Sequence, residues 1–91
     1  MSAVQVFFDG NVQGVGFRYS VRHIATGFEV TGWIKNLRDG RVEMQVGGAE
    51  DEVQAFLDAI TQSALRAHIK KHDVTPLTNA PLMRGFEICY E

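Results

Sequence analysis

Apolar residues recur along this chain with two periods, and the switches between them mark out its elements. Val4, Val6 and Phe8 alternate with Gln5 and Phe7, the period-2 pattern of a strand, which Asp9-Gly10 brings to an end. Phe17, Val21, Ile24 and Phe28 then fall at helical spacing, with Ala25 widening the stripe and Gly27 standing where a helix stops. Arg22, His23 and Thr26 occupy the outer face of that helix, so His23 is read as a solvated side chain. The β-branched and aromatic run Glu29–Lys35 and the alternating run Arg41–Gly47 predict two antiparallel strands. Asp39-Gly40 between them is a hairpin turn, because Asp tolerates and Gly favours positive φ. Gly32 inside the first of these strands implies a close backbone approach or a bulge, and Trp33 is read as a packing residue.

Gly47-Gly48 breaks the strand pattern, and Glu50, Asp51 and Glu52 place acid where a helix N-terminus favours it. Val53, Phe56, Leu57 and Ile60 form the apolar stripe of a second helix, running to about Ser63 or Ala64. From Arg66 to Val74, Ala67 and Ile69 alternate with polar residues, which predicts an exposed or edge strand. Pro76 and Pro81 frame a loop, and Phe86, Ile88 and Tyr90 alternate with Glu87, Cys89 and Glu91 in a last strand. The order is β-α-β-β-α-β plus a C-terminal strand. That α+β order predicts two helices on one face of a mainly antiparallel sheet, a ferredoxin-like α/β sandwich.

Ninety-one residues suit one small globular domain, residues 1–91, with one core. Nine Lys and Arg against eleven Asp and Glu give a formal charge of −2, and no run of Lys and Arg forms an electrostatic footprint, so nucleic acid is not an expected partner. No apolar run reaches the ~20 residues of a membrane span. Met1-Ser2-Ala3 lacks the basic start of a leader, so the reading is a cytoplasmic monomer. Cys89 has no partner for an internal disulfide and reads as a passive thiol. His68 and His72, an even number of residues apart, could share a strand face, but no further ligand accompanies them and no metal is expected.

The candidate chemistry lies in Gly10-Asn11-Val12-Gln13-Gly14-Val15-Gly16-Phe17-Arg18, between the first strand and the first helix. Glycines let successive N–H groups turn into a concavity, and the first helical turn adds unsatisfied donors and positive dipole. Arg18 in that turn opposes the dipole unless an anion lies between the loop and its guanidinium. Two readings stand: an anion cradle, or a tight turn with a solvated arginine. The loop lacks the third glycine of a dinucleotide fingerprint and the Gly-Lys-Ser/Thr of a Walker loop. RNA-recognition modules of this element order require aromatic residues on the third strand's exposed face, where Glu43 and Gln45 or Val42, Met44 and Val46 stand here.

Gly10-x-Val12-Gln13-Gly14-Val15-x-Phe17-Arg18, followed by Gly32-Trp33-Ile34-x-Asn36-Leu37-x-Asp39-Gly40 and Val42-Glu43, resembles the acylphosphatase family. The resemblance implies a ferredoxin-like sandwich that hydrolyses the carboxyl–phosphate bond of small acyl phosphates without metal or cofactor. It further implies that Arg18 binds the phosphoryl group, that backbone amides of Gln13, Gly14, Val15, Gly16, Phe17 and Arg18 form the cradle, and that Asn36 positions the attacking water. The chemistry fits: the leaving carboxylate has a conjugate acid of pKa about 4, so no general acid is required. On spacing alone Asn36 would be a turn residue. A non-catalytic phosphate-binding or regulatory module is the alternative on the same fold. Many family members carry Gly-Pro after the second helix, where this chain has Gln62-Ser63-Ala64, so that junction is expected to be built differently.

Overall fold

In the computed structural model, which describes residues 1–90, the elements follow the expected order. They are β1 (Ser2–Gly10), α1 (Phe17–Ala25), β2 (Val30–Asn36), β3 (Val42–Gly48), α2 (Glu50–Thr61), a 3-10 helix (Ala64–His68), β4 (Ile69–Pro76) and β5 (Phe86–Cys89). The strands form one sheet in the order β4-β1-β3-β2-β5, antiparallel throughout except where β5 runs parallel to β2. This is the ferredoxin-like sandwich, with the extra strand on the β2 edge.

Strand alternation decides which face is buried. Val6 and Phe8 on β1, Ile34 on β2, and Val42, Met44 and Val46 on β3 point to the helices and are fully buried. Phe17 and Val21 of α1 and Val53, Phe56 and Ile60 of α2 complete the same core. The aromatic rings interlock at angles: Phe8 meets Phe17 edge-on at 5.2 Å, and Phe56 meets Phe86 at 5.5 Å. Burying each such ring contributes roughly 1.5–3 kcal/mol. Gly32 is the close approach expected in β2, since a Cβ there would lie 2.0 Å from the Gln45 carbonyl oxygen.

On the other face, Gln5 donates to Glu43 at 2.7 Å, while Arg41 covers the Phe7 ring at 4.5 Å and Lys35 the Trp33 ring at 5.1 Å. The chain must cross this face to get from β4 at one edge to β5 at the other. It does so along Ala80 and Pro81, which lie against Gly47, pinned by bonds from Leu77 N–H to Ala3 C=O and from Gly32 N–H to Gly85 C=O, each 2.9 Å.

Several boundaries differ from the sequence reading. β3 runs on through Gly47-Gly48 instead of breaking there; a Cβ at Gly47 would meet Ala80 of the crossing loop, and one at Gly48 the Glu29 carbonyl before β2. α1 stops at Ala25 with Thr26 as its C-cap, and Gly27 keeps an ordinary negative φ while its N–H donates to Ile24 C=O. α2 stops at Thr61, and Ser63 starts the 3-10 helix, its hydroxyl donating to Ile60 C=O at 2.7 Å and accepting from Leu65 N–H at 3.1 Å. Gln62 and Ser63 thus join α2 to the 3-10 helix. β4 consequently begins at Ile69, not Arg66, and His68 in the 3-10 helix shares no strand face with His72. Glu91, expected in the last strand, lies outside the described residues.

Candidate active site

The glycine loop joins the end of β1 to the start of α1, as its sequence position requires. Gly14 and Gly16 adopt φ of 78° and 73°, and a Cβ at either would meet nothing within 4 Å. Backbone conformation, not space, therefore demands glycine here. Gly16 is the N-cap of α1, and no side chain caps the helix or places acid in its first turn. The first loop-to-helix bond is from Ser20 N–H to Gly16 C=O, at 3.0 Å. Among the described residues no amide from Gln13 to Tyr19 donates to a protein acceptor, so the loop and the first turn offer a run of free N–H groups.

The loop is tied down by one side chain. Gln13 Nε2 donates to Leu37 C=O at 2.7 Å and to Arg41 C=O at 2.9 Å, clamping the loop to both sides of the β2–β3 hairpin. The hairpin is itself locked: Asp39 accepts from the Arg41 amide at 3.0 Å and from Arg41 Nε at 2.8 Å. These bonds hold the Asp39 carboxyl below its ordinary pKa.

Arg18 leaves the first turn of α1, half-buried, and reaches the end of β5, where Nη1 donates to Cys89 C=O at 3.4 Å and the guanidinium covers the Tyr90 ring at 5.1 Å. The neighbouring Tyr19 hydroxyl, through its hydrogen-bonding influence and then its charge, pushes the Tyr90 hydroxyl pKa up. Arg22 lies over Tyr19 at 5.4 Å and is exposed, as expected of a surface residue.

Asn36 is bracketed by these contacts. The residue after it, Leu37, carries the Gln13 clamp, and the residue before it, Lys35, is the register partner of Cys89, on whose carbonyl Arg18 rests. Alternation puts Asn36 in phase with buried Ile34 on the helix side and Lys35 on the other. Asn36 Oδ1 is buried without a hydrogen-bond partner, a state costing roughly 1–3 kcal/mol if nothing satisfies it. The Gln13 clamp thus brings the glycine loop beside the end of β2, where Asn36 stands. Sequence reasoning missed the Gln13 side chain, the Cys89 carbonyl and Tyr90. A glutamine among glycines carries no pattern, and a backbone acceptor has no sequence signal at all.

Among the described residues no group of three or more His, Cys, Asp or Glu stands close enough to hold a metal ion, and no helix is long and apolar enough to cross a membrane.

The acylphosphatase family matches residues 4–88. The chain belongs to that family. An acylphosphatase from Geobacillus thermodenitrificans is 48% identical over 81 residues, covering 84% of this chain and 86% of its own. One from Geobacillus kaustophilus is 42% identical over 90 residues, covering 99% and 96%. The crystal structure of acylphosphatase from Bacillus subtilis superposes with a TM-score of 0.88 at 36% identity, over 99% of this chain and 100% of that one. At that coverage the two acylphosphatase chains share one architecture.

Proposed function

We propose that this acylphosphatase-family enzyme hydrolyses acyl phosphates by in-line attack of a water held by Asn36 on a phosphoryl group held by the glycine loop and Arg18. The free amides of Gln13, Gly14, Val15, Gly16, Phe17 and Arg18 donate to the phosphoryl oxygens, and the guanidinium neutralises charge on them as bonds change. The Asn36 carboxamide, which can both accept from and donate to a water, fixes the water's lone pair on the phosphorus. The P–O bond to the acyl group breaks as the water O–P bond forms. The electron pair leaves on the carboxylate, which needs no proton, and the water's proton passes to a phosphoryl oxygen. The products are a carboxylate and inorganic phosphate.

The unpartnered carboxamide oxygen of Asn36, next in sequence to the Leu37 carbonyl that anchors the Gln13 clamp, carries this reading. A turn residue would expose its carboxamide to solvent. The test follows loss of benzoyl phosphate by absorbance. Arg18→Ala is expected to lower kcat/KM by about 10² to 10³, the cost of removing one preorganised donor. Asn36→Ala is expected to lower kcat while leaving KM near the wild-type value, since the water is no part of substrate binding. Wild type no faster than the Arg18 variant overturns the reading, and phosphate binding without turnover assigns the site to a regulatory module instead.

A further inference from the structure

At the opposite edge of the sheet, the cationic residues of the short stretch Arg66–His72 are gathered around one hollow. Thr61 at the end of α2, Arg66 of the 3-10 helix, and Ile69, Lys70, Lys71 and His72 of β4 line a hollow of about 210 Å³. None of these residues belongs to the glycine loop, Arg18 or Asn36. The β1–β4 register skips here, Asp9 pairing with Lys71 and Gly10 with Ile69, so Lys70 is the extra residue of a bulge. The bulge brings the backbone of His68 and Lys70 so close to Gly10 that a Cβ there would clash with the His68 carbonyl and the Lys70 amide.

The charges do not cancel. Lys71 is faced by Asp73 at 3.7 Å and by Asp9 across the strand pair. Asp58 of α2 borders the adjoining slot that shares Thr61 and His72, and it accepts from Gln54 at 3.0 Å. Arg66 and Lys70 have no ion-pair partner among the described residues. Lysines on an edge strand commonly serve only to repel another strand. That role needs charges projecting along the edge, and the bulge and terminal Pro76 already blunt this one. It does not account for Arg66, from a separate element, entering the same concavity as Lys70.

We infer that this hollow is a second anion site, for a small oxyanion carrying two or more negative charges. Its volume holds one or two phosphate-sized groups, and the unpaired guanidinium and ammonium offer charge-assisted hydrogen bonds to them. A polypeptide strand is a poor occupant, because the bulge interrupts the ladder it would have to join.

The test is a ¹⁵N–¹H titration of the full chain and of its Arg18→Ala variant with pyrophosphate and, in parallel, citrate, at constant ionic strength. Amides from Arg66 to His72 are expected to shift saturably in both proteins. Saturation by pyrophosphate alone assigns the site to phosphoryl compounds, and by both ligands to polyanions in general. Arg66→Glu and Lys70→Glu, or the milder Lys70→Gln, are expected to weaken that binding about tenfold or more per charge–charge hydrogen bond lost. Benzoyl phosphate hydrolysis stays at the wild-type rate in these variants. Shifts confined to Gln13–Tyr19, or β4 shifts that rise linearly and survive Lys70→Glu, overturn the inference. Neither outcome bears on the hydrolytic reading, which fails only on activity.

Discussion

Asn36 and Gln13 divide the work of one small region between chemistry and architecture, and each shows how far a residue type determines a role. A buried carboxamide oxygen without a partner is costly, and Asn36 keeps one where the loop, β2 and β5 converge. Gln13 spends both of its donors on carbonyls at either side of the hairpin, at 2.7 and 2.9 Å. Its side chain fixes the loop, while its backbone amide donates to no protein acceptor among the described residues. Gln13→Ala therefore removes two hydrogen bonds to carbonyls, each contributing about 1 kcal/mol. The expected outcome is a protein less stable by about 1–2 kcal/mol in urea, with KM for benzoyl phosphate raised more than kcat is lowered, because the loop must be ordered by the substrate itself. A drop in kcat at constant KM would place Gln13 in the chemistry instead. The sequence made the loop's backbone role legible through its glycines, because glycine is the residue that lets successive main-chain N–H groups turn inward. The clamp was not legible, because it depends on which carbonyls lie opposite after folding.

At the scale of elements, glycines that look alike in sequence meet different constraints. Gly32 sits in β2 with the Gln45 carbonyl where its Cβ would be, so Gly32→Ala must force β2 and β3 apart. Loss of ladder bonds and overpacking by this route cost several kcal/mol, and the expected result is a chain that is unfolded or loosened throughout, seen in near-UV circular dichroism. Gly14→Ala meets open space and carries only the strain of φ 78°, roughly 1–2 kcal/mol. Most of it is relieved by letting the loop change shape, so the fold survives and the cradle does not. Equal melting curves with KM raised tenfold or more in Gly14→Ala would confirm that separation, and equal damage to folding by both would contradict it. The alternation of apolar residues fixed the strands and helices because burial on one face tolerates few other arrangements. The start of β4 escaped it, since Ala67 and Ile69 fit a strand period while Ser63 caps a 3-10 helix that ends at His68. Local capping by one hydroxyl outweighed a weak alternation there.

On the scale of the whole molecule, the cradle is an unsatisfied region in an otherwise well-bonded structure, so its stability should respond to the anion it is shaped for. The loop from Gln13 to Tyr19 has amides without protein acceptors and an uncapped helix start, donors that an anion can engage. If the loop holds phosphate as proposed, this product of acyl phosphate hydrolysis stabilises the folded chain, because the unfolded chain has no matching site. At a concentration a hundred times its Kd it should raise the unfolding free energy by about 2.7 kcal/mol. For a chain of this length that corresponds to a rise in Tm on the order of 10 °C. The measurement belongs in the Arg66→Glu/Lys70→Glu protein, where the hollow beside β4 no longer binds anions and the cradle alone reports. Arg18→Ala in that background should flatten the response, because the guanidinium supplies the only full positive charge proposed for the cradle. If Tm rises equally with Arg18 present or absent, the main-chain amides suffice to hold the anion, and the role of Arg18 shifts from binding phosphate to stabilising charge that develops only during transfer.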